Sequence, residues 1–269
     1  SFTGGVHAAL ADVNGDSIPD IITAPGAGAQ PEIRIFSGVD GSQIGSFNAF
    51  PNGFLGGVSI TAADFGGSRG VQIIAAPATQ GVPLVRVFSA DGTNQANFFA
   101  YSPDFWGGVN LSTGDVNADG TIDIITGTGV GGVPLVKAFD GISDQEVMNF
   151  FAFDPGFLGG VDVAGLKMGS GVPDQIAVTP FSGGVPLVRV LNSSAIEQQN
   201  FFAFAPTFEG GVRLASIDFN ADGTSDIVVG AGPGATPHVR ILDGRTGSQL
   251  YSAFFFDDSF SGGVRVAGL

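Results

Sequence analysis

Apolar residues along this chain fall at every second position in short runs, and each run is closed by Gly, Pro, Asn or Asp. Four such runs recur in order. Examples are Gly108-Val-Asn-Leu-Ser-Thr-Gly114, Asp123-Ile-Ile-Thr126, Leu84-Val-Arg-Val-Phe88 and Asn97-Phe-Phe-Ala-Tyr101. Period-two patterning between turn-forming residues predicts β-strands. The segment Ser193-Ser-Ala-Ile-Glu-Gln-Gln199 has moderate helix propensity, but in phase it is the turn into a fourth strand. No helix is predicted.

The strands are organised by a repeat. Gly-Gly-Val begins at Gly4, Gly56, Gly107, Gly159, Gly210 and Gly262, at intervals of 52, 51, 52, 51 and 52 residues. A period near fifty in a Gly-rich, strand-rich chain predicts an all-β, five-bladed β-propeller. Each blade is a four-stranded antiparallel sheet that cannot bury both faces alone. Residues 1–269 are therefore expected to form one domain of five repeats, with a sixth copy of the first strand at 262–269. A five-bladed ring needs only one of the two terminal copies. Either end can complete a split blade, or the spare strand can pair with another chain.

Some positions recur in every repeat and read as architecture. Arg34, Arg86, Lys137, Arg189 and Arg240 share one place in the third strand and make up half of the ten basic residues. Their expected role is a long stem packed on aromatics, with the charge on a local carboxylate or carbonyl. Phe50, Tyr101, Phe153, Phe204 and Phe256, each followed four residues later by Phe54, Phe105, Phe157, Phe208 and Phe260, are expected to wedge between sheets.

Composition removes several functions. The net charge is −15, from 25 acids against 10 bases, which would repel nucleic-acid phosphate. There is no cysteine, so no disulfide and no thiolate zinc site. No apolar run approaches the roughly 20 residues that cross a bilayer, so no membrane insertion is expected of this segment. The N-terminus carries no basic-then-apolar leader, so any targeting segment is expected to lie outside the chain.

Chemistry concentrates in three loops eight residues after a marker. They read Asp12-Val-Asn-Gly-Asp-Ser-Ile-Pro-Asp20, Asp115-Val-Asn-Ala-Asp-Gly-Thr-Ile-Asp123 and Asp218-Phe-Asn-Ala-Asp-Gly-Thr-Ser-Asp226. Side-chain oxygens at positions one, three, five and nine, with a backbone carbonyl at seven, suit a hard cation at about 2.3–2.6 Å, and calcium over magnesium. The expected ligands are Asp12, Asn14, Asp16, Ile18 and Asp20; Asp115, Asn117, Asp119, Thr121 and Asp123; and Asp218, Asn220, Asp222, Thr224 and Asp226. Asp and Asn also make ordinary turns. Yet nine of the 25 acidic residues crowd into these loops, where uncompensated carboxylates would repel. In the first loop Ser17 and Pro19 replace the usual residues, leaving its occupancy open. Up to three Ca2+ ions would bring the charge from −15 to about −9. The second and fourth repeats, at Asp64–Gln72 and Lys167–Asp174, lack most ligands, and Arg69 or Lys167 can stand in for the ion.

Gly-Gly-Val, then Gly114 to Gly127, then Pro134 to Gly141, resembles the FG-GAP or VCBS-type repeat of integrin-α-like β-propellers and bacterial exported repeat proteins. Ala24-Pro25, Ala76-Pro77 and Gly230-Ala-Gly-Pro233 match or approach the end of the "GAP" element. The resemblance implies a structural calcium loop between the first and second strands, and a role in adhesion or recognition at the cell surface or outside the cell.

Antiparallel strands put the acidic loops and the third-to-fourth turns on one face of the ring, and the remaining loops on the other. On that other face the residue before Gly-Gly varies as Leu55, Trp106, Leu158, Glu209 and Ser261. Trp106 is the single tryptophan and suits sugar stacking or a protein contact, although a packing cap over a blade junction is the plainer role. A glycosidase needs two placed carboxylates. Glu32, Glu146, Glu197 and Glu209 stand at unrelated phases, and His7 and His238 have no evident partners. The expectation is thus a calcium-stabilised recognition or adhesion module of an exported protein, not an enzyme, whose ligand is a protein or a carbohydrate. A scaffold without a ligand is the alternative, and a lectin or glycan-processing enzyme stands behind both.

Overall fold

A computed structural model describes residues 2–67 and 69–268; Ser68, within the second-repeat loop, and Leu269, at the end of the sixth copy, lie outside the described residues. The first blade is β1 (Val6–Ala11), β2 (Asp20–Pro25), β3 (Glu32–Phe36) and β4 (Gln43–Asn48). The second is β5 (Val58–Asp64), β6 (Val71–Pro77), β7 (Leu84–Ser89) and β8 (Asn94–Phe99), and the third β9 (Val109–Gly114), β10 (Asp123–Thr128), β11 (Leu135–Phe139) and β12 (Glu146–Phe151). The fourth is β13 (Val161–Leu166), β14 (Gln175–Pro180), β15 (Leu187–Leu191) and β16 (Glu197–Phe202), and the fifth β17 (Val212–Ile217), β18 (Asp226–Ala231), β19 (His238–Leu242) and β20 (Gln249–Phe254). Every sheet is an antiparallel meander in chain order, and the first strands of successive blades pack side by side around an axis. This is a five-bladed β-propeller.

The fourth strand sits earlier than its sequence pattern suggests. It runs over Asn94–Phe99 rather than to Tyr101. Ala100 has left the ladder, its N–H donating to Pro83 O, and Tyr101 turns its hydroxyl inward to Thr126 and Leu135 O, 3.0 Å from each. In all five blades the pairing of third and fourth strands slips at the same place, between Val87 and Phe88 and their counterparts. Such a bulge adds local twist, which a propeller blade requires.

Blades are held by apolar junctions. Ile22, Ile33 and Ile35 of the first blade pack with Val58 and Ile73 of the second, and comparable clusters follow at the next three junctions. The expected aromatic wedges pair at 5.2–6.1 Å between ring centres, including Phe50 with Phe54 and Tyr101 with Phe105. Three of the five third-strand cations reach back one blade. Arg86, Arg189 and Arg240 donate to the carbonyls of Ala49, Ala152 and Ala203, while Arg189 and Lys137 also pair with Glu197 and Glu146. On the rim, the outermost strands expose Phe99, Phe151, Phe202 and Phe254.

Residues 262–268 form no ladder strand, yet they occupy the place that the next blade's first strand would take on blade five. Gly234 N donates to Ser261 O at 2.9 Å, just as Gly28 N donates to Leu55 O at 2.8 Å. Gly263 (φ +83°) closes on the backbone of Gly232 and Pro233, as Gly57 (φ +77°) closes on Gly26 and Ala27, and a Cβ at either would collide with that backbone. The inner circle therefore has six members, β1, β5, β9, β13, β17 and the terminal segment. Its two ends meet where Arg265 approaches His7.

Candidate functional site

The three acidic loops share one conformation. Positions four and six are left-handed in each: Gly15 (φ 81°) and Ser17 (69°), Ala118 (58°) and Gly120 (86°), Ala221 (58°) and Gly223 (83°). The first loop thus keeps the fold despite Ser17 and Pro19. Non-glycine residues in this region cost about 1–2 kcal/mol each, so something must hold them. That something is the carboxylates. Asp12, Asp115 and Asp218 each accept N–H groups from positions five and six at 2.7–3.1 Å. Asn14, Asn117 and Asn220 accept from position five at 2.9 Å, and Asp16, Asp119 and Asp222 accept from position seven, at Ile18, Thr121 and Thr224.

The ninth residue plays a different part. Asp20, Asp123 and Asp226 open the second strands, are fully buried, and accept an N–H from position two at 3.0 Å. Asp20 and Asp226 also accept from Gly38 N and Gly244 N in the third-to-fourth turn, which places those turns beside the acidic loops. In the third blade this second bond is missing. Asp123 Oδ1 is buried without a partner among the described residues, and burial, reinforced by the charges of Asp119, Asp115 and Asp140, pushes the carboxyl up to about 7. A divalent cation would relieve that cost, so the donor set suits a hard metal ion. With the side chains turned to backbone amides, no group of three or more His, Cys, Asp or Glu residues converges on a metal position among the described residues.

In the second repeat, Arg69 donates both guanidinium nitrogens to Gly141 O and Ile142 O in the third blade's turn, so it ties neighbouring blades together. In the fourth, Asp174 accepts from Asp115 N at 2.8 Å. Its carboxyl is raised by burial, and Asp115 adds to that.

On the opposite face Leu55, Trp106 and Leu158 are exposed, Trp106 at 58%, and Glu209 is exposed too. Their carbonyls, not their side chains, do the clasping: Gly28, Gln80, Gly131 and Gly183 donate to them at 2.8–3.0 Å. The packing-cap role therefore belongs to the backbone, and the side chains are left to solvent. Trp106 lines a cavity of about 660 Å³ at this mouth together with Asp104, Phe181, His7 and Arg265.

That cavity leads to residues the sequence reading passed over. The residue following each Gly-Gly-Val is His7, Ser59, Asn110, Asp162, Arg213 and Arg265, and all six line one small cavity on the ring axis. The signal was available: this position in the first strand is polar in all six copies and changes its chemistry from one to the next until the fifth and sixth, which both carry arginine. A search for what repeats passes over it. Arg213 lies over the Phe181 ring at 3.6 Å and donates to Phe181 O and Val212 O, and burial lowers its guanidinium to about 10. Burial lowers the imidazole of His7, with Arg265 and Arg213 adding to it, and raises the carboxyl of Asp162, with Arg213 opposing.

The fold and these two faces define the class, a five-bladed β-propeller with acidic loops on one side and a polar axial pocket open to the other. No family model matches the chain, and no curated protein does either. Solved structures do resemble it. The rhamnogalacturonan lyase YesW overlaps at a TM-score of 0.53 and 12% identity, covering 94% of this chain and 51% of that one. The Bacillus licheniformis rhamnogalacturonan lyase PL11 overlaps at 0.52 and 13%, covering 93% and 50%. The V. cholerae biofilm matrix protein Bap1 overlaps at 0.45 and 18%, covering 94% and 40%. The chain thus spans about half the length of the solved lyases it matches, and at these identities the likeness is one of fold.

Proposed function

We propose that this chain is a calcium-stabilised, non-catalytic recognition or adhesion module of an exported protein. The observation that carries it is the buried Asp123 carboxylate. It sits with one oxygen unpartnered among three further acids, in a loop whose backbone is copied at 12–20 and 218–226. Asp115, Asn117, Asp119, Thr121 and Asp123, with their counterparts in the other two loops, would hold the ion. It would supply fixed positive charge that stiffens the loops on one face of the ring. The resemblance to FG-GAP and VCBS-type repeats supports the same reading. Extracellular calcium, at concentrations suited to sites of about 10⁻⁴–10⁻³ M, supports an exported location. The lyase neighbours share a fold, and folds of this kind host unrelated functions, so they do not weigh toward catalysis.

The test is thermal melting in chelator and again with about 1–10 mM calcium, with magnesium as control. The expected result is a calcium-specific rise in Tm that shrinks in Asp123→Asn and again in Asp123→Asn/Asp226→Asn. No shift, with no metal found by elemental analysis, overturns the calcium assignment. Release of new chain ends from a polysaccharide, abolished by substitution of one axial residue, overturns the non-catalytic one.

A further inference from the structure

We propose that the axial pocket behind Trp106 binds a carboxylate-bearing sugar, with Arg265, Arg213 and the His7 Nε2–H holding the carboxylate and Trp106 stacking on the ring. This names a ligand class for the recognition reading and rests on that reading only in expecting binding without turnover.

Hydrogen-bond stoichiometry in the pocket supports it. Arg265 Nη1 stands 3.4 Å from His7 Nδ1. A guanidinium has no lone pair to offer, so it donates and Nδ1 accepts. A neutral imidazole that accepts at Nδ1 carries its proton at Nε2. Nε2 is buried and has no partner among the described residues. Its N–H is therefore a donor without an acceptor, a costly arrangement in a folded protein unless a ligand oxygen fills it. Charge points the same way. In the small axial cavity two arginines face one carboxylate, and the ion pairs among the described residues are Arg34 with Glu32, Lys137 with Glu146 and Arg189 with Glu197, so Asp162 forms an ion pair with neither arginine. Asp162 instead accepts from Leu214 N at 2.9 Å. The small axial cavity holds a surplus of donors and, from Arg213, Arg265 and Asp162, one net positive charge inside a chain of −15, while Asp104 stands as a second carboxylate at the outer mouth beside Trp106. Planar guanidinium groups match carboxylates through paired N–H donors.

The sugar part rests on a separate observation. His7 and Arg265 line the same cavity as Trp106, the single tryptophan, which is well exposed. An exposed indole beside a polar anchor is a stacking surface for a ring bearing C–H groups. Ser59 and Asn110 complete the wall, although Asn110 Nδ2 is committed to Val161 O at 2.7 Å.

Trp106 is also the reporter. Its fluorescence is followed while the calcium-loaded protein is titrated with glucuronate, with glucose, and with acetate. The expected result is a saturable change with glucuronate, with glucose and acetate each weaker by about tenfold or more. Arg265→Gln is expected to lower glucuronate affinity about tenfold while the calcium-induced rise in Tm is unchanged, because Arg265 lines the axial cavity at the end of the ring opposite the acidic loops. His7→Phe, which removes the free N–H but keeps a ring, is expected to weaken glucuronate and leave glucose alone. Equal response to glucose and glucuronate, an acetate response as strong as glucuronate, or unchanged affinity in Arg265→Gln overturns the proposal. The calcium melt interrogates the other face, so either reading can fail alone.

Discussion

The junction between blades four and five and the seam between blade five and blade one are made from the same repeat, yet they bury very different amounts. At the first, Leu166, Val188 and Val190 of one blade meet Val212, Ile227 and Leu242 of the next, all at 2% exposure or less. At the second, blade five meets the terminal segment, in a cluster of Ala215, Val228, Val239, Ile241 and Val264. The marker valines show the same split. Val264 is 7% exposed in its slot on blade five, whereas Val6, its counterpart in the first repeat, is 51% exposed. Ile21, Arg34 and Phe256 are exposed as well. One inner strand can close a ring near its axis, but the outer half of a junction needs the neighbour's second, third and fourth strands.

The largest expected difference follows from core truncation. Ile227→Ala should cost about 2–5 kcal/mol, the range for a fully buried isoleucine, and Ile241→Ala at the seam should fall at or below the bottom of that range. Paired denaturant melts check it, and equal losses would mean that the seam is as tightly packed as the junctions. Next come the third-strand cations. Arg189 links its blade to the preceding one through Ala152 O and pairs with Glu197 of its own blade, so Arg189→Ala should cost about 1–2 kcal/mol. Among the described residues the Arg34 guanidinium reaches only Glu32, on the surface, so Arg34→Ala should stay within about 0.5 kcal/mol.

The smallest effect is a pH dependence at the seam. His7 titrates below its ordinary value in the folded chain, because of burial and then Arg265 and Arg213. The unfolded chain therefore takes up a proton first as the pH falls below about 6.5, and stability is lost on acidification. The wild type should lose more Tm between pH 7 and 5.5 than His7→Asn, with calcium held constant. A parallel fall in both proteins would place the acid sensitivity elsewhere, His238 being the other histidine lowered by burial.

Most of the fold was legible because it repeats. The Gly-Gly-Val spacing marked the blades, the aromatic pairs marked the wedges, and the third-strand cations found the carbonyl and carboxylate partners expected of them. The acidic loops were legible as loops, and their shared left-handed positions follow from the nonapeptide pattern even where Ser17 takes the place of glycine. Two things were not legible. Arg69 was read as a local substitute for an ion, but its partners lie in the next blade's turn, a contact that no linear spacing encodes. The meeting of the axial residues was hidden for the opposite reason. His7 and Arg265 lie 258 positions apart and meet only because the ring closes.

The phenylalanines on the outermost strands have a colloidal consequence. Phe99, Phe151, Phe202 and Phe254 sit on edge strands whose outward N–H and C=O groups are unpaired by any further strand of their own sheet, so the rim offers both greasy contact and hydrogen-bonding edge. What separates one rim from another is long-range repulsion between chains of charge −15. That repulsion extends about 10 Å in 0.1 M salt and only about 3 Å in 1 M salt. Dispersal of the propeller in solution is thus set by ionic strength, and concentrated salt brings its edges within reach of one another.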